Sequence, residues 1–219
     1  MVAAVSVAGT GLLGASLSTQ PDSTEFYALT FAVAGTWLTG GLVLEPPHLG
    51  WDRSDEHAFP RLVSTPILIG TAAFGVFVGA ALVARRIPLL NGAISSILSY
   101  ADRGSGPWVL ATTLANAVAE EFFFRGALFA ALSGHYPVLA STAVYVLATS
   151  ATRNPALVLA SGVMGSLFAA QRHSSWGIVA PILTHVTWST LMLRYLPPLF
   201  RDSTHALLQS EGCIQPRPG

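Results

Sequence analysis

Long apolar blocks follow one another along this chain, separated by short polar, proline- or glycine-containing breaks. They predict helices over Val2–Ser18, Phe26–Leu44, Leu62–Ala84, Trp108–Leu132, Pro137–Ala151, Ala156–Ala170 and Gly177–Leu196. A helix crosses a bilayer with about 20 mostly apolar residues, so blocks of this length read as membrane spans. The first is diluted by Gly, Ala and Ser. The fifth and sixth are short for lone spans, but adequate where other helices cover them or the bilayer is thin. Asn91–Tyr100 is modestly amphipathic and suits a helix lying along the interface. There is no internal repeat and no low-complexity tract.

The predicted fold is therefore all-α, a polytopic transmembrane helix bundle of about seven spans, within roughly six to eight. One domain is the economical reading, in three stretches. Residues 1–107 hold the N-terminal transmembrane helices and a cytoplasmic loop, 108–196 the core helices, and 197–219 a loose C-terminal tail. The opening Met1-Val2-Ala3-Ala4-Val5 lacks the basic region of a secretory signal and reads as the start of the first span.

Composition supports a membrane setting. Hydrophobic residues make up 52% of the chain and charged residues only 10%, against about 25% charged in soluble domains. Mean hydropathy is +0.55. The formal net charge is zero, so nothing points to nucleic acid. The one cysteine, Cys213, rules out a disulfide within the chain. Arginines set the expected orientation. The 85–107 loop, with Arg85, Arg86 and Arg103 against Asp102, is predicted to be cytoplasmic. The 45–61 loop, with Glu45, Asp52, Asp55 and Glu56 against Arg53 and Arg61, suits the other side. Counting spans onward places Arg153 and Arg201 inside and Arg172 outside, the last against the trend.

The costly feature is Glu120-Glu121-Phe122-Phe123-Phe124-Arg125, in the middle of an apolar helix. An ionised side chain at a span's centre costs roughly 2.5–3.5 kcal/mol, while a Leu or Phe returns only about 0.3–0.6. Such a cluster is a functional-site hypothesis by default. Glu121 and Arg125 are four apart and share a helix face. Glu120 lies about 100° round the helix, in line with Asn116 and Thr112. One carboxylate thus has a local cation and the other does not, a division suited to a base and its support. Helix-to-helix glue is the alternative, but one acid would suffice for one arginine.

His185 is the second costly position, in the last strong span, with Ser189 one turn on. An imidazole there can ligate a metal, shuttle a proton or donate to an oxyanion, or simply bond a neighbouring carbonyl. Tyr145, Thr149 and Arg153 recur at four-residue spacing and read as a packing stripe. His135 and His173 read as solvated loop histidines, and Gly162, Gly165 and Ser166 as small residues for close helix contact.

The order of these motifs resembles the CPBP family, the CAAX-processing and bacteriocin-processing (Abi/Rce1-like) intramembrane metalloproteases. The family pattern Glu-Glu-x-x-x-Arg is met by Glu120, Glu121 and Arg125, followed by Gly126-Ala127-Leu128. Its His-x-x-x-Asn is met by His185 with Ser189 at the Asn position. Its Phe-x-x-x-His aligns with Tyr145-Val146-Leu147-Ala148-Thr149, so Thr149 stands where the family has histidine. The resemblance covers about residues 108–196. It implies an intramembrane endopeptidase in which Glu120 activates water, Glu121 and Arg125 hold the helix geometry, and His185 binds metal or stabilises the oxyanion. Thr149 and Ser189 fall at substrate- or oxyanion-facing positions. The motifs leave open whether a metal is used; zinc is the candidate, but threonine is a poor zinc ligand beside imidazole, so weak zinc binding or none is expected. The implied substrate is a membrane-embedded or lipidated protein, and the implied location a bacterial plasma membrane.

Two other classes stay open. A non-catalytic relative, a membrane scaffold or self-immunity protein, could keep the Glu-Glu-Arg cluster for stability, and the Thr149 and Ser189 departures favour it. A small transporter could use Glu120 as a proton site, but transporters carry repeats and none is visible here.

Overall fold

A computed structural model describes residues 1–45, 48–49, 58–132, 134 and 136–200. The loop residues Asp52, Arg53, Asp55 and Glu56, together with His135, Cys213 and the tail from Arg201, lie outside the described residues. Every regular element among the described residues is helical. They are α1 (Val2–Ser16), α2 (Thr24–Leu44), α3 (Ala58–Ala84), α4 (Pro88–Arg103), α5 (Gly106–Glu120), a π-helical segment (Glu121–Ala127), α6 (Leu128–Ala131), α7 (Pro137–Ser150), α8 (Pro155–Ser175) and α9 (Val179–Tyr195).

Local sequence explains several boundaries. Ser23 caps α2, its Oγ accepting from Phe26 N at 3.0 Å. Asn154 caps α8 by accepting from Ala156 N and Leu157 N, and Pro155 holds the first helical position, where its missing N–H is not needed. The Asn154 amide also donates to Ala93 O at 2.8 Å, which ties the start of α8 to α4.

Two helices, Thr24–Leu44 and Leu62–Ala84, are long and apolar enough to cross a membrane, and α1 and α7 are shorter apolar helices. The amphipathic stretch at 91–100 sits inside α4, whose Leu98 faces inward with Ala81 and Leu196. The principal core lies between α2, α5 with its π extension, and α7. Trp37 and Phe123 are fully buried there beside Phe124 and Ala148. The Trp37 ring lies 4.8 Å from that of Phe123 and 4.9 Å from that of Phe124. Outside this core the helices stay apolar. Val43, Val76, Leu147 and Leu159, on α2, α3, α7 and α8, are 68%, 68%, 70% and 60% exposed.

The prediction of an unbroken α-helix over 108–132 is corrected by the π segment. Widened turns are rare and occur mostly at functional sites. They leave carbonyls poorly served by their own helix, and two are taken up by neighbouring side chains. Ser141 Oγ of α7 donates to Phe124 O at 2.9 Å. Arg172 Nε of α8 donates to Arg125 O at 2.8 Å. Arg172 is buried in the last turn of α8, not in a loop.

Candidate functional site

The site forms where the end of α5, the π segment, α7, α8 and α9 meet. Glu121 opens the π segment and is fully buried, as is Arg125. Their charges face each other, with Arg125 Nε 3.4 Å from Glu121 Oε2 and Arg125 Nη1 3.4 Å from Oε1. Both contacts are long for an ion pair. A shorter bond comes from a distant helix: His185 Nδ1 lies 2.8 Å from Glu121 Oε1. A carboxylate beside a guanidinium can only accept, so Nδ1 donates, and ring nitrogen Nε2 points the other way. Sequence spacing anticipated the Arg125 contact and missed this one, because the two residues are 64 apart in sequence.

Arg125 is fixed by more than charge. Its Nη2 donates to Gly165 O of α8 at 3.1 Å, and its guanidinium lies 4.6 Å from the Tyr145 ring and 5.1 Å from that of Phe168. Gly165 is needed for this fit, since a Cβ there would come within 3.0 Å of the Tyr145 ring. His185 stacks on Phe168 at 4.5 Å. Its neighbour Thr184 pins α9 from two sides, accepting from Gln171 Nε2 at 2.8 Å and donating to Pro66 O at 3.1 Å. Neither Gln171 nor Thr184 carried any signal in the sequence, since a single Thr or Gln in an apolar helix has no characteristic spacing.

Glu120 closes α5 and is only half-buried. Tyr145 Oη donates to its Oε2 at 2.7 Å. The other groups near enough to act on it electrostatically are His185, Glu121 and Arg125, so the structure brings Glu120, Glu121, Arg125 and His185 into one cluster. The expected line through Asn116 and Thr112 leads elsewhere. Asn116 donates to Thr30 O of α2, and Thr112 bonds its own helix. Thr149 lies one turn from Tyr145, buried, with its hydroxyl donating back to Tyr145 O at 2.9 Å. Ser189 is half-buried one turn beyond His185. The packing-stripe reading fits Thr149 and is corrected for Tyr145, whose hydroxyl reaches the cluster.

Residues 103–191 match the family model for type II CAAX prenyl endopeptidase Rce1-like proteins. Over this stretch, which is less than half of the chain, it is similar to Rce1-like proteins. Comparison with curated proteins and with solved structures found no match. Family and apolar helices together indicate an integral membrane protein.

The donor set of this core does not fit the zinc considered for it. Zinc takes three or four N, S or O ligands around one centre. Glu121 is committed to His185 and Arg125, and Thr149 offers no imidazole. Among the described residues no group of three or more His, Cys, Asp or Glu side chains is arranged to hold a metal ion.

Proposed function

We propose that the chain is a multi-pass intramembrane endopeptidase that cleaves a membrane-associated protein, with Glu120 activating water. One observation carries the reading. In a cluster whose other carboxylate is fully buried between His185 and Arg125, Glu120 keeps accessible surface. A base must reach its water.

In this scheme Glu120 takes a proton from water while the oxygen attacks the peptide carbonyl carbon. The tetrahedral intermediate carries its negative charge on the former carbonyl oxygen. The C–N bond then breaks and the proton passes from Glu120 to the departing amine. His185, held at Nδ1 by Glu121, would turn Nε2 toward that oxyanion, with Ser189 as a hydroxyl donor one turn away. Apolar side chains exposed on α2, α3, α7 and α8 support insertion of several helices in lipid. The family points to lipidated, CAAX-type substrates. The non-catalytic reading is favoured by one feature, the Thr149 hydroxyl turned back onto its own helix.

The test is cleavage of a farnesylated CAAX-type peptide by the purified chain in nanodiscs. Glu120→Gln should abolish cleavage and leave the melting temperature near that of wild type. Cleavage that persists in Glu120→Gln would exclude Glu120 as the base.

A further inference from the structure

Packing does not account for the Tyr145 hydroxyl. The ring alone fills its space, edge-on to Phe124 at 4.8 Å, beneath the Arg125 guanidinium at 4.6 Å and against Gly165. Phenylalanine would make the same contacts. A hydroxyl inside an apolar bundle costs free energy unless it is bonded, and this one reaches across from α7 to Glu120 Oε2 at 2.7 Å. That is a well-formed O–H···O bond length. The ring cannot turn away easily, because Arg125 above it is itself held by Gly165 O and Glu121.

The two oxygens of Glu120 therefore differ. The one side-chain hydrogen bond to this carboxylate found among the described residues, from Tyr145, is to Oε2 and not to Oε1. We propose that Tyr145 is a positioning residue for the base: its hydroxyl holds Oε2 and leaves Oε1 as the oxygen that takes the proton from water. The assignment rests on the endopeptidase reading and deepens it. The O–H bond of water breaks toward Oε1 as the new O–C bond forms at the peptide carbonyl. On collapse the C–N bond breaks and Oε1 returns the proton to the amine nitrogen. Tyr145 keeps its own proton throughout. Its hydroxyl also sits in the helical turn where Thr149 replaces the family's histidine, so this turn still supplies a polar group to the cluster.

The experiment compares wild type with Tyr145→Phe as full-length protein in nanodiscs. The Glu120 carboxylate band in the infrared spectrum, assigned by subtracting Glu120→Gln, reads the contact without any turnover. Steady-state cleavage of a farnesylated peptide reads the role. Tyr145→Phe should shift the band and lower kcat, up to about 10²-fold for a misplaced reacting group, with KM held. Placing 3-fluorotyrosine at position 145 keeps the hydroxyl and should restore kcat. An unmoved band, or unchanged kcat in Tyr145→Phe, overturns the assignment. A shifted band in a wild-type protein that cleaves nothing overturns the endopeptidase reading, and the role with it, while leaving the contact in place.

Discussion

Arg125 has a larger task than its spacing from Glu121 announced. It stands 3.4 Å from that carboxylate, bonds Gly165 O and caps the Tyr145 ring. Arg125→Ala should therefore cost about 3–5 kcal/mol, the range for breaking a buried charge pair, with His185 left as the sole strong partner of Glu121. Denaturation in detergent measures it, and wild-type stability in Arg125→Ala would remove the pair from the account. Thr149 makes the opposite prediction. It is buried one turn from Tyr145, so Thr149→His would add the imidazole that the donor set lacks. Metal analysis should find little zinc in wild type and more in Thr149→His. Stoichiometric zinc in wild type, lost in His185→Ala, would show that the site binds metal despite its departures.

Among the elements, the π segment depends on its neighbours. Ser141→Ala removes the hydroxyl that serves Phe124 O in a buried setting, and an unsatisfied buried acceptor costs about 1–3 kcal/mol. Ser150→Ala is the matched control, since Ser150 bonds its own helix at an exposed position. Its melting temperature should stay near wild type while that of Ser141→Ala falls. Helix positions were largely legible in the sequence because apolar runs and breakers such as Pro137 and Pro155 mark them directly. Glu120, Glu121, Arg125 and His185 were legible because charge in an apolar run is costly. The widened turn was not. It leaves the composition of the run unchanged and shows only in which carbonyl each N–H reaches. Tyr145 was hidden for a related reason: tyrosine is at home in packing stripes, and only the turn of α7 toward α5 reveals where its hydroxyl goes.

At the scale of the whole molecule, outward-facing apolar side chains separate a membrane bundle from a soluble one. Val76, on α3, is 68% exposed. If it faces lipid, Val76→Arg should impair insertion by roughly 2.5–3.5 kcal/mol, the cost near a span's centre. Leu89→Arg, at a 70% exposed position early in α4, should be tolerated if α4 lies along the interface. The fraction resisting alkaline extraction from membranes measures both. Equal, full retention of the two variants would place Val76 out of the lipid.

The widened turn at Glu121–Ala127 also bears on how this chain is compared with others. Its backbone bonds reach one residue further than those of an α-helix. A relative with a regular helix here would be one residue shorter between the glutamates and α6. An alignment without a gap would then match correctly on one side of the turn and slip on the other. Residue number over this stretch, and not residue type alone, therefore bears on where each side chain falls round the helix beyond the turn.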